Sequence, residues 1–141
     1  LGFPTANVDL SKALTRPGEG VYAALVPIGG RWHCGALSVG GNPTFGDVRE
    51  TRAEVFLLDF EGDLYGRDLP VFLIRRLRPM IGFPDAQALA AQIAQDVERC
   101  RVAGREELAG RAPLYAAFAE SLASMEAENA FEPRTWRLAK C

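Results

Sequence analysis

Short apolar runs alternate with glycine-rich breaks over the first half of the chain. Val21 to Val26 and Trp32 to Val39 flank Pro27-Ile28-Gly29-Gly30-Arg31, where paired glycines supply the positive φ of a tight turn, so the spacing predicts a hairpin. Arg52 to Phe60 and Leu69 to Leu77 repeat the arrangement around Glu61-Gly62-Asp63 and Gly66-Arg67-Asp68, and their β-branched and aromatic content favours strand. Short strands between glycine turns predict an antiparallel sheet that closes into a barrel. After Phe83-Pro84 the period lengthens. Leu89, Ile93, Val97 and Cys100 recur every three to four residues while Gln92, Gln95, Glu98 and Arg99 take the other faces, which predicts an amphipathic helix with Asp85 as its N-cap. A second helical stripe, Leu114, Tyr115, Phe118, Leu122 and Met125, follows Pro113. The polar stretch Gly104 to Arg111 reads as a linker. The expected organisation is therefore a barrel with its first helix over residues 1–103 and a helical extension of unassigned role over 104–141, docked on the barrel or on another chain.

Composition narrows the class. A chain of 141 residues with 48% hydrophobic side chains can bury one real core. The net charge of −2 offers no basic field for polyanions, so no nucleic acid partner is expected. Cys34, Cys100 and Cys141 are widely spaced and form no Cys-x-x-Cys pair, which argues against a disulfide framework or a zinc site and suits a reducing cytoplasm. No apolar run approaches the roughly 18 residues that cross a bilayer, so no membrane partner is expected. Small molecules remain as ligands, with a monomer as the expected state.

The opening segment Leu1-Gly2-Phe3-Pro4-Thr5-Ala6-Asn7 carries candidate chemistry. It sets a hydroxyl and a carboxamide two residues apart on a stretch stiffened by proline. Such oxygen ligands suit a hard cation, Mg²⁺, which keeps several waters and takes few protein ligands beside nucleotide phosphates. Taken alone, Pro-Thr-Ala-Asn is equally a turn whose Thr5 and Asn7 bond their own backbone. Glu54 is the candidate general base. Counting by two gives Phe56, Leu58 and Phe60, so an acid stands on an apolar strand face, where partial burial would make it a better proton acceptor. A salt bridge to Arg52, Arg75 or Arg76 is the competing reading. Neither a P-loop nor a Gly-x-Gly-x-x-Gly cradle exists, so any phosphate must be held otherwise. His33 is the single histidine, which removes Ser-His-Asp triads and multi-histidine metal sites and leaves it a surface or packing residue.

With Gly20-Val21-Tyr22, Gly41-Asn42-Pro43-Thr44-Phe45-Gly46, Glu54 to Phe60, Asp63-Leu64-Tyr65-Gly66, Leu77-Arg78-Pro79 and Phe83 following in order, the chain resembles the riboflavin kinase family. That family includes the kinase module of bacterial bifunctional FAD synthetases, and the resemblance runs from Leu1 to Arg101. It implies a closed six-stranded antiparallel Greek-key β-barrel with C-terminal helices, and transfer of the γ-phosphoryl of Mg-ATP to the 5′-hydroxyl of riboflavin, giving FMN. It implies that Thr5 and Asn7 touch the Mg²⁺ and the ATP phosphates, that Gly2 and Ala6 permit close backbone approach, and that Leu57, Asp59 and Tyr65 contact the nucleotide. Glu54 aligns with the catalytic Glu, although Phe56 stands where the family commonly has His. Arg78 and Phe83 match positions beside the isoalloxazine ring, with Ile81 where some relatives carry Lys. The segment Gly41 to Gly46 matches a loop over the active site. Family members place a further strand and a Gly-Arg loop before the opening motif, so residues upstream of Leu1 are expected. Two other readings stay open: the C-terminal piece of a bifunctional enzyme with an upstream adenylyltransferase domain, and a flavin-binding module without catalysis.

Overall fold

In the computed structural model, residues 5–13, 16–42, 50–64, 69–127 and 138–140 are described. Strands β1 (Thr5–Val8), β2 (Gly20–Ile28), β3 (Arg31–Asn42), β4 (Glu50–Leu57), β5 (Phe72–Arg78) and β6 (Leu138–Lys140) form one antiparallel sheet in the order β5-β2-β3-β4-β1-β6. The predicted β2–β3 hairpin is present, with Ile28 paired to Arg31 and the turn glycines Gly29 and Gly30 at φ 59° and 77°. Its arms lengthen beyond the apolar run, for β3 continues through Gly40 and Gly41 to Asn42. β5 and β6 are the two edges, and among the described residues no ladder joins them, so the sheet is open where a closed barrel was expected.

The second predicted hairpin is not formed. β4 pairs with β3 and β1, whereas β5 crosses to the far edge and pairs with β2. The intervening segment turns back at Leu58, whose N–H donates to the Cys34 carbonyl at 2.8 Å, and at Asp59, which takes φ 53°. It then drives Leu64, Leu69 and Val71 into the core shared by Val8, Val26, Leu37, Val39, Val55 and Leu57. Burial of these apolar side chains on one face outweighs a local turn, at roughly 1.5–3 kcal/mol for each fully covered Val or Leu.

The opposite face is covered by α1 (Ala86–Gly110). The predicted cap holds, since Asp85 Oδ1 accepts the Ala88 N–H at 2.7 Å. Val97, Cys100 and Ala103 pack on Val21, Ala23, Ala36, Leu58 and Leu77, with Ile93 and Phe56 at the margin. The expected linker Gly104 to Arg111 is helical through Gly110, because its first residue is where the helix meets the sheet. Gly104 is buried, and a Cβ there would overlap Cys34 Sγ. Gly104→Ala is accordingly expected to lower the unfolding free energy by about 1–3 kcal/mol through overpacking, despite alanine's better helix propensity. Urea denaturation measures it, and adding Cys34→Ala should shrink the penalty by removing the atom that clashes.

The tail docks on the sheet. α2 (Ala112–Ala127) buries Tyr115, whose carbonyl accepts Trp32 Nε1–H at 3.0 Å. Trp32 meets Tyr115 and Phe72 edge to face at 5.0 and 5.4 Å, and Phe72 meets Phe118 at 5.2 Å. Leu114 and Phe118 remain substantially exposed, so only part of the predicted stripe is covered. An all-helical tail was expected, yet Leu138–Lys140 adds the edge strand β6 alongside β1. The free backbone groups of β1's outer edge give a short strand a ladder that helical periodicity does not reveal. His33 packs edge to face on Phe60 at 5.3 Å, and burial lowers its pKa, in keeping with a packing role. Among the described residues no helix is long and apolar enough to cross a membrane.

Candidate active site

Register places the candidate residues. Asn7 pairs with Glu54, Glu54 with Ser38, Ser38 with Val21, and Val21 with Arg78. Directly opposed residues in antiparallel strands share a face. Arg78, Val21, Ser38, Glu54 and Asn7 therefore form one row across five strands, on the face that α1 partly covers. At about 4.8 Å per strand, Glu54 lies one step from Asn7 and about 14 Å along the sheet from Arg78. Thr5 heads the adjoining row, opposite Phe56, and shares its face with Asn7 because side chains repeat every second residue.

Glu54 is exposed, and the apolar side of its strand is Ala53, Val55 and Leu57. The expectation of a partly buried acid amid Phe56, Leu58 and Phe60 is corrected on two counts. β4 ends at Leu57, so the count by two does not continue, and only Phe56 of those three shares the face of Glu54 within the strand. Two of the proposed salt-bridge partners are engaged elsewhere. Arg75 pairs with Glu106 at 2.9 Å, and Arg76 donates to the Glu19 carbonyl at 3.1 Å. Ser38, which spacing did not single out, sets its hydroxyl 3.5 Å from the Glu54 carbonyl.

Thr5 and Asn7 are exposed beside Glu54, while Ala6 between them is buried in the core, so only the Ala6 backbone can face a ligand. Leu57 is likewise a core side chain. Asp59 is 74% exposed and bonds Arg101 at 2.9 Å beyond the end of β4. Gly2, Tyr65 and the loop residues Pro43 to Gly46 lie outside the described residues.

At the other end of the row Arg78 is locked in place. Its Nε is 3.0 Å from both oxygens of Asp96 and its Nη2 is 2.7 Å from Oδ2, while Nη1 donates to the Pro79 carbonyl at 3.1 Å. Gln92 Nε2 donates to Asp96 Oδ1 at 3.1 Å. Asp96 is 2% exposed and Arg78 15%, so the fork-to-carboxylate pair is shielded and geometrically fixed. The Arg78 guanidinium carbon lies 5.8 Å from the Phe83 ring centre, within cation–π range. Met80 and Ile81 stand exposed as an apolar lip. Nearby, burial pushes the Cys100 thiol up to about 12, with the negative charge of Asp96 adding to the effect. Asp96 escaped the sequence reading, although one signal was present: it is a carboxylate inside the apolar stripe, between Ile93 and Cys100.

The row offers an acid, a carboxamide and a hydroxyl at one end and a rigid planar cation beside an aromatic ring at the other. The donor set Thr5 hydroxyl and Asn7 carboxamide consists of hard neutral oxygens, which fit Mg²⁺ sharing its coordination with phosphates. Among the described residues no group of three or more His, Cys, Asp or Glu could hold a metal ion.

Comparison with known proteins converges on one family. The family model for flavokinase, riboflavin kinase, matches residues 1–103. The RNA-binding riboflavin kinase RibR of Bacillus subtilis is 38% identical over 110 residues, covering 78% of this chain and 46% of that protein. The bifunctional riboflavin kinase/FMN adenylyltransferases of Listeria monocytogenes and Escherichia coli K12 are 35% and 40% identical, over 72% and 68% of this chain but 32% and 30% of their own lengths. A crystal structure described as a macrolide-efflux protein from Streptococcus pneumoniae superposes with a TM-score of 0.63 at 38% identity, over 71% of this chain and 33% of that one. The chain thus spans less than half the length of these relatives.

Proposed function

Because this chain belongs to the riboflavin kinase family, we propose that it transfers the γ-phosphoryl group of ATP to the 5′-hydroxyl of riboflavin, giving FMN and ADP. The observation that carries the reading is the shared row from Arg78 through Glu54 to Asn7. Its extent suits a flat tricyclic ring at one end and a ribityl chain reaching towards the acid.

In this mechanism Arg78 and Phe83 frame the isoalloxazine ring and Ile81 supplies apolar contact. Glu54 accepts the proton of the 5′-hydroxyl as its oxygen bonds to the γ-phosphorus, and the bond from that phosphorus to the β,γ-bridging oxygen breaks to release ADP. Thr5 and Asn7 hold Mg-ATP in line with that hydroxyl. Mg²⁺, when bound, supplies charge neutralisation on the phosphates. The family resemblance assigns nucleotide contact to Asp59, the Leu57 backbone and Tyr65, and close backbone approach to Gly2 and Ala6. The net charge of −2 offers no basic field for polyanions, and the reading takes small molecules, without nucleic acid, as the ligands of a cytoplasmic monomer.

The bifunctional relatives, which this chain matches over a third or less of their length, favour a second form of the same reading: the kinase module of a bifunctional enzyme. The test is to incubate the chain with riboflavin and Mg-ATP and to quantify FMN and ADP. Equal amounts of both are expected. Flavin binding without FMN formation would replace the kinase by a non-catalytic flavin-binding module.

A further inference from the structure

We infer that the cleft beside Asn7 is a phosphate pocket in which Arg16 and Arg52 hold the anionic oxygens of a phosphate ester next to Glu54. The inference rests on the proposed kinase reading and assigns residues that the family resemblance does not. The cleft has a volume of about 780 Å³ and opens where the β1–β4 ladder ends, lined by Asn7, Asp9, Ser11, Arg16, Thr51 and Arg52 among others. Asn7 both lines it and pairs with Glu54, so cleft and row share a side chain. Arg52 stands two residues from Glu54 on β4, hence on the same face and about 7 Å along the strand.

Both arginines are exposed, and among the described residues neither is held in an ion pair. Among the described residues Asp9 is the lone carboxylate of the lining, and its Oδ1 accepts the Ser11 N–H at 2.8 Å to cap the short turn that follows β1. Positive charge therefore prevails in a cleft that abuts an acid. The chemistry calls for such charge. Riboflavin is neutral, whereas its product carries a phosphomonoester close to a dianion, which stands beside the Glu54 carboxylate once that group has passed its accepted proton to solvent. Like charges so placed repel, and guanidinium forks meet phosphate oxygens in pairs of charge-assisted bonds. The phosphate can belong to the flavin product or to the nucleotide, and ligands with and without it separate the two.

The experiment titrates wild type, Arg16→Gln, Arg52→Gln and the double variant with riboflavin, FMN, adenosine and ADP by calorimetry. Loss of one charge-assisted contact should weaken FMN binding about tenfold or more per arginine while riboflavin binding stays unchanged, and the wild-type preference for FMN over riboflavin should fall as salt rises. A loss confined to ADP, with adenosine unchanged, assigns the pocket to the nucleotide phosphates instead. FMN and ADP binding to the double variant as tightly as to wild type, at an unchanged melting temperature, overturns the proposal. Should the double variant melt early, the salt dependence in wild type decides alone, and equal salt dependence of each phosphorylated ligand and its parent overturns it. Failure of the kinase reading is read separately, as wild type that forms no FMN from riboflavin and Mg-ATP.

Discussion

Glu54→Gln should lower kcat for FMN formation by roughly 10²- to 10⁴-fold, the usual worth of a positioned general base, while riboflavin and ADP still bind. The substitution keeps the shape of the side chain and removes its ability to accept a proton. Because Glu54 is exposed on the strand, its loss should cost little stability, so the melting temperature serves as a control. An unchanged kcat would remove Glu54 from the mechanism and leave positioning of Mg-ATP by Thr5 and Asn7 as the source of rate. A rise in KM at constant kcat would instead mark Glu54 as a binding group. The side-by-side pairing of Asn7 and Glu54 makes a further demand: Asn7→Ala should raise KM for Mg-ATP without disturbing flavin affinity.

Asp96→Ala should be a costly single change to the fold. It strands the Arg78 guanidinium, 15% exposed and otherwise matched to a carboxylate that is 2% exposed. Removing one partner of a shielded pair costs about 3–5 kcal/mol, the lower end applying because part of Arg78 reaches solvent. Flavin affinity should fall together with stability, since Arg78 would no longer be held against Phe83. A purely structural role is separable. The double change Arg78→Met with Asp96→Leu keeps the volume apolar and should recover most of the stability while flavin binding stays lost. Recovery of both would show that the pair only props the helix on the sheet, and retention of stability in Asp96→Ala would show that the pair contributes little.

Legibility in the sequence followed the range of the interaction. The β2–β3 hairpin could be read because Gly29-Gly30 specifies its turn locally, and α1 because Asp85 and the spacing of Ile93, Val97 and Cys100 are features of a single helix. β5 was misjudged because its partner lies about 50 residues away in β2, and nothing within Phe72 to Arg78 records that pairing. β6 was missed for the same reason. The stretch from Gly104 looked like a linker because glycine and charge are common to loops and exposed helix faces alike. Only contact with Cys34 explains the glycine. Asp96 stood in view inside an apolar stripe, yet its partner could be identified only once β5 lay beneath α1.

From the order of residues alone came the family, the antiparallel strands, the helix that follows them, and the identity of Thr5, Asn7, Glu54 and Arg78 as candidates, since motif and periodicity are properties of neighbours along a chain. Tertiary structure decided that Asn7, Glu54 and Arg78 share one row with Thr5 in the next, that Glu54 is open to solvent, that Asp96 fixes Arg78, and that Arg16 and Arg52 line one cleft. Those facts depend on strand register and crossover, which are set by how distant apolar faces are buried against one another.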